Sequence, residues 1–153
     1  MKLRLFWVGK TQEAWVRTGI DEYAGRVRRY APLEIVEVKE EKGALPEVQR
    51  QREGERILKQ IPATGRLVLL DETGEQLTSP GFAARLGKYR DSGTSELIFA
   101  IGGAYGFAPE LRARADRTLA LSKMTFTHQM VRPIFLEQLY RAYTILNNES
   151  YHH

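Results

Sequence analysis

The sequence predicts an α/β fold in which a mostly parallel β-sheet is flanked by helices. Three observations carry that prediction. Five short apolar or β-branched runs recur along the 153 residues. Segments with helical spacing separate them, which is the crossover pattern that parallel strands need. Leu67-Val68-Leu69-Leu70 and Leu97-Ile98-Phe99-Ala100-Ile101 are unbroken apolar runs, as in strands buried on both faces. The length suits one domain over residues 1–153, and 42% apolar residues can fill its core.

Lys2 to Val8 is expected to form the first strand. Thr11 is placed to cap a helix running to about Arg29, with Val16, Ile20, Tyr23, Val27 and Tyr30 on one stripe. Leu33 to Val38 reads as the second strand, and the charged stretch Lys39 to Gly43 as a loop. Pro46 to Ile61 reads as a charged helix, whose Arg50, Arg52, Arg56 and Lys59 make a solvated face or a basic patch. Arg66 to Leu70 is the third strand, and Asp71-Glu72-Thr73-Gly74 is expected to turn the chain. Ser79-Pro80 resembles a helix start, with Ser79 as the cap and Phe82, Leu86 and Tyr89 on the inner face. Glu96 to Ile101 is the fourth strand. A short helix near Pro109 to Ala115 leads to a fifth strand, Thr118 to Leu121. A last helix runs from Val131 to about Asn148, with Pro133 in its first turn. Its apolar residues Phe135, Leu136, Leu139, Tyr143 and Leu146 span an arc wide enough for the core and for part of a partner subunit.

Composition narrows the chemistry. There is no cysteine, which excludes disulfides, thiolate catalysis and cysteine-bound zinc. Of three histidines, two end the chain, so no metal site is expected. No apolar run is long enough to span a membrane. The N-terminus alternates charged with apolar residues, unlike a secretory signal, and a cytoplasmic location is expected. A net charge of +4 permits nucleic acid as a partner without requiring it.

In parallel α/β sheets, ligands bind beyond the carboxyl ends of the strands. Three segments fall there: Leu70-Asp71, Gly102 to Gly106, and Leu121 to His128. Gly102, Gly103 and Gly106 permit close backbone approach to a ligand, although a tight strand-to-helix turn is the plain alternative. The spacing is G-G-x-x-G, not the dinucleotide fingerprint, which argues against a nucleotide-cofactor oxidoreductase. The loop Leu121-Ser122-Lys123-Met124-Thr125-Phe126-Thr127-His128 has no strand or helix period. Its Leu, Met and Phe can surround a flat ring while backbone groups read the ring edge. The tail, Glu149 to His153, is expected to fray.

At these residues the chain resembles a known family. Ile101-Gly102-Gly103-x-x-Gly106, Leu121 to Phe126 with His128-Gln129-Met130-x-Arg132, Glu137 to Ala142 and the ending Tyr151-His152 resemble the bacterial ribosomal RNA large subunit methyltransferase H family. Lys2-Leu3 and Gly9-Lys10 add to the likeness, which covers the full length. The resemblance implies a SPOUT-type α/β fold with a C-terminal trefoil knot and a homodimer. It implies methylation of N3 of a pseudouridine in 23S rRNA, with S-adenosylmethionine as methyl donor and no metal. It places that cofactor against Leu70, Gly102, Gly103, Leu121, Ser122, Lys123, Met124, Thr125 and Phe126. Thr127 departs from the family pattern, which has proline before the histidine.

N3–H of pseudouridine is a poor nucleophile until its proton leaves, so a base or a stabilising cation would help. The expected substrate-side groups are His128, Tyr151 and His152 for the proton and Arg132 for charge. Glu137 and Arg141, four apart on one helix, pair with each other or orient substrate. The expected partner is 23S rRNA within the large subunit or the 70S ribosome. Rival readings are a SPOUT methyltransferase acting on tRNA and a non-catalytic RNA-binding module.

Overall fold

The computed structural model describes residues 1–153. Its elements are β1 (Lys2–Val8), α1 (Ala14–Val27), β2 (Leu33–Val38), α2 (Pro46–Leu58), β3 (Arg66–Gln76), α3 (Ser79–Asp91), β4 (Glu96–Ile101), α4 (Pro109–Arg114), β5 (Arg117–Ala120) and α5 (Val131–Leu146). The five strands form one sheet in the order β2-β1-β4-β3-β5, and every pairing is parallel. The predicted α/β class and parallel sheet are therefore present.

Strand alternation divides the core. Leu3, Leu5, Trp7, Val68, Leu70, Leu97, Phe99 and Ile101 face α1, α3 and α5. Phe6, Val8, Leu67, Leu69, Ile98 and Ala100 face Ile57 of α2 and Leu111 of α4. α5 lies between α1 and α3. Its Phe135, Leu136 and Leu139 are fully buried, each contributing about 1.5–3 kcal/mol. Phe135 meets Phe99 at 4.7 Å between ring centroids and Phe82 at 6.0 Å. Most of the wide apolar arc of α5 is thus core, and Leu146 is its half-exposed member.

Several boundaries differ from expectation. Thr11 does not cap α1; Glu13 holds the cap position without a side-chain bond. Thr11 is buried instead, and its hydroxyl accepts a hydrogen bond from Arg132 at 3.0 Å. Thr78, not Ser79, caps α3 by accepting from the Gly81 amide at 3.1 Å. Ser79 is the first helical residue, and its hydroxyl donates to Gln138 of α5 at 2.6 Å. α2 stops at Leu58, short of Ile61.

The expected turn at Asp71 to Gly74 is a bulge inside a longer β3. The ladder to β5 breaks after Leu70↔Leu119 and resumes at Glu75↔Leu119 and Gln76↔Ala120. Gly74 permits this, because a Cβ there would lie 2.7 Å from the backbone of Thr118 and Leu119. The bulge pushes Asp71, Glu72 and Thr73 outward at the carboxyl end of the sheet.

Candidate functional site

Between the ends of β3, β4 and β5 lies a cavity of about 630 Å³. That volume is in the range of small-molecule sites. Leu70 and Ile101 form its floor and Gly102 and Gly103 one wall, while Leu121, Met124, Phe126 and His128 close the opposite side. Glycine is needed at the wall because chain segments nearly touch there. A Cβ on Gly102 would lie 3.3 Å from the Gly106 backbone, and one on Gly103 would lie 2.9 Å from a Glu53 carboxylate oxygen.

Both loops leave backbone groups free. The amides of Gly102, Leu121 and Phe126 donate to no other group of the chain, while Gly103 bridges to Gly106. Met124 and Phe126 remain exposed although apolar. Free amides beside uncovered apolar side chains suit a flat ligand with a polar edge.

The second loop is anchored at several points. The Met124 amide donates to the Ser122 hydroxyl at 3.0 Å. Thr125 donates to the Glu72 carboxylate, which ties the loop to the β3 bulge. Gln129 bonds the Lys10 carbonyl and the Gln12 amide, both at 3.1 Å, joining the loop to the end of β1.

His128 borders the cavity and is half-buried. Burial, assisted by the Arg132 cation, holds its imidazole below the ordinary histidine range. It is therefore mostly neutral at pH 7, a form with a nitrogen free to accept a proton.

Arg132 does not meet the expectation of a substrate-side cation. It is fully buried and does not border the cavity. Its guanidinium donates to the carbonyls of Val8 (2.9 Å), Gly9 (3.0 Å) and His128 (3.2 Å) and to the Thr11 hydroxyl. It also lies 4.8 Å from the Trp7 ring centroid. Burial lowers its pKa to about 10, which leaves it charged at neutral pH. Arg132 is a positioning residue that fixes the end of β1 and the backbone of His128.

The tail also departs from expectation, because it is held down. The Tyr151 hydroxyl donates to Glu137 at 3.1 Å, and its ring packs edge-on against Tyr140 at 4.7 Å. Burial and the Glu137 bond push its pKa up to about 12, so at neutral pH Tyr151 is a donor and not a base. Arg141 pairs with Glu137 at 2.6 Å and contacts His152 Nδ1 at 3.0 Å. A guanidinium only donates, so Nδ1 accepts and the proton of a neutral His152 sits on Nε2. Neither Tyr151 nor His152 borders the cavity of its own chain.

Comparison with known proteins bears on what this cavity serves. A family model described as predicted SPOUT methyltransferase matches residues 1–152. A Geobacter sulfurreducens protein named ribosomal RNA large subunit methyltransferase H is 69% identical over the whole of both chains. The chain belongs to the SPOUT methyltransferase family. Proteins of the same name from Geobacter metallireducens and Geotalea uraniireducens are 68% and 63% identical, covering 100% of this chain and 99% and 100% of theirs. The family resemblance read from the motifs is met along the full length.

Within this SPOUT chain, all but one of the residues expected around the cofactor border the cavity; the exception is Lys123, whose side chain is exposed beside it. Thr127, in place of the pattern's proline, accepts from the Met130 amide at 3.1 Å. A hydrogen bond there does the work of a ring-restrained φ. Sequence reasoning missed the β3 bulge. Asp71 and Glu72 stand at the rim, with Arg112 of α4 at 3.6 Å from Asp71. Two carboxylates directly after a buried strand were the available signal, but they read as an ordinary turn.

Proposed function

We propose that this chain is an S-adenosylmethionine-dependent methyltransferase acting on N3 of a pseudouridine in 23S rRNA, within the large subunit or the 70S ribosome, and that it works as a cytoplasmic homodimer. The observation that carries the reading is the cavity at the strand ends of a chain 69% identical, end to end, to a protein named for methylating large-subunit ribosomal RNA.

The residues present fit the methyl donor. Leu70, Leu121, Met124 and Phe126 offer apolar walls for its adenine, and the free amides of Gly102, Leu121 and Phe126 offer partners for the ring edge. Ser122, Lys123 and Thr125 offer polar groups at the rim. When bound, the donor supplies a methyl group on a positively charged sulfonium, an activated carbon that requires no metal. The chain must hold the target nitrogen in line with that carbon, and positioning of this kind supplies much of a rate gain. His128, neutral and facing the cavity, accepts the N3 proton. Arg132 fixes the backbone of His128 from beneath.

The chain folds as a single domain over residues 1–153, and its strand and loop crossings form the C-terminal knot of the family. The separation of the tail from the cavity supports a dimer. Glu137, which holds Tyr151, lies six residues beyond Val131, about 9 Å along the helix. In a dimer, Tyr151 and His152 of one copy approach the cavity of the other.

The test is a substrate panel with radiolabelled methyl donor: 70S ribosomes, large subunits, free 23S rRNA and tRNA, with donor affinity measured by calorimetry. Label at N3 of one pseudouridine in 23S rRNA is expected. Label in tRNA alone would move the substrate to tRNA. RNA binding without donor affinity would make the chain a binding module. A monomeric mass by light scattering at micromolar protein would remove the dimer.

A further inference from the structure

The large hydrophobic side chains left exposed are Trp15 (60%), Leu45 (67%), Tyr105 (50%), Met124 (77%) and Phe126 (39%). Scattered singly, such residues need no explanation. These are not scattered. Trp15 opens α1 and Leu45 caps α2, while Tyr105 follows β4 and Met124 and Phe126 follow β5. All five lie at the carboxyl end of the sheet, the end at which the cavity opens. Met124, Phe126 and Tyr105 border the cavity, but Trp15 and Leu45 do not.

Cations stand among them. Lys10, Lys39 and Lys123 are exposed at the ends of β1, β2 and β5, and their side chains make no ion pair or hydrogen bond within the chain. Arg50 is half-buried beside Gly103 and Phe107 and is also unpartnered. Trp15 is held close to the mouth, because Gln129 ties the preceding loop, Lys10 to Gln12, to the residue after His128.

We propose that this end of the molecule docks RNA, with Trp15 and Tyr105 as platforms for unpaired bases beside the target and Lys10, Lys39, Arg50 and Lys123 as phosphate contacts. The proposal rests on the reading that the substrate is RNA and adds the surface that receives it. Proteins recognise looped or single-stranded RNA by stacking splayed bases on aromatic rings while basic side chains follow the backbone. Tyr105 on the cavity wall and Trp15 beyond it, past the end of β1, would hold the neighbours of a target base turned into the cavity. The tail of a second copy reaches the cavity in the proposed dimer, but the lysines and Trp15 beyond it suit RNA better, since the core of a protein interface is depleted in lysine.

Trp15 reports on this directly. The chain has two tryptophans, and Trp7 is buried. Titration with a short single-stranded oligoribonucleotide should quench the exposed tryptophan emission, and Trp15→Phe should abolish the signal. With large subunits as substrate, Trp15→Ala should raise KM about thirtyfold, the middle of the range for one stacked base, while donor affinity by calorimetry stays unchanged. Trp15→Phe should restore most of the loss. Lys10→Gln and Lys123→Gln should each lower the salt slope of RNA binding by about 0.7–0.9. Lys59→Gln and Lys88→Gln, at the opposite end of the sheet, should not. Wild-type KM and salt slope in Trp15→Ala and Lys10→Gln, with methylation intact, would overturn the docking surface and leave the enzyme reading standing. Quenching by RNA without methylation of any ribosomal substrate would do the reverse. If Trp15→Ala instead lowers the mass seen by light scattering, the surface joins two copies of the chain and the proposal is wrong.

Discussion

Substituting methionine for Arg132 keeps an unbranched side chain and removes the guanidinium. The buried Val8 carbonyl, the part-buried carbonyls of Gly9 and His128, and the buried Thr11 hydroxyl then lose a charged donor. Each unsatisfied buried acceptor costs about 1–3 kcal/mol. Part returns, because the cation itself is costly to bury, as its pKa near 10 records. The net loss expected is about 3–5 kcal/mol, as for breaking other buried ionic networks. In a chain of this size that lowers Tm by about 10 °C and takes a large share of a typical 5–15 kcal/mol stability. Arg132→Lys keeps the charge but not the planar fork, and should lose about half as much. Urea and thermal unfolding of both variants, beside methyl transfer and donor binding, make the assay. If Arg132→Met unfolds within about 1 kcal/mol of wild type and loses turnover alone, the guanidinium meets the reaction and is not architecture.

Gly74→Ala should destabilise the chain by about 1–3 kcal/mol, because its Cβ meets backbone that cannot step aside, as denaturant unfolding would show. His128 has a folded pKa below its unfolded value of 6.5, so its contribution to stability is present above pH 6.5 and fades as pH falls through the lower folded value. His128→Asn should remove that part of acid destabilisation and, if His128 takes the proton, flatten the acid limb of kcat/KM in a pH profile. Removing Tyr151 to His153, or His152→Ala, should leave donor affinity within about twofold by calorimetry and cut methyl transfer by about a hundredfold, as a misplaced substrate does. Glu137→Ala should release the tail with the same effect on transfer and cost about 1 kcal/mol of stability by urea unfolding.

Much of this was legible because burial writes itself into strands. β1, β2 and β4 lie where apolar or β-branched runs begin and end, and the carboxyl ends of three strands pointed to the cavity. What failed was whatever depended on distant partners. Asp71 to Gly74 looks locally like a turn, and only the approach of Thr118 and Leu119 makes it a bulge. Thr11 has the type and place of a helix cap, yet an arginine 121 residues away claims its hydroxyl. Arg132 looked like a free cation, since nothing nearby in sequence predicts full burial under Trp7. The tail looked loose because Glu137 and Arg141 were paired with each other on paper and not with Tyr151 and His152.

α5 fills the middle of one helical layer, between helices made long before it. Until residues beyond Leu146 have been synthesised, the slot for Phe135, Leu136 and Leu139 exposes Phe82 and Phe99 to water. At 5–20 residues per second, the stretch from Phe82 to Leu146 takes about 3–13 s to make. Through that interval the apolar faces of the sheet and α3 stand open, and the binding cavity takes shape only after the sheet that carries it, once the loop leading into α5 is pinned.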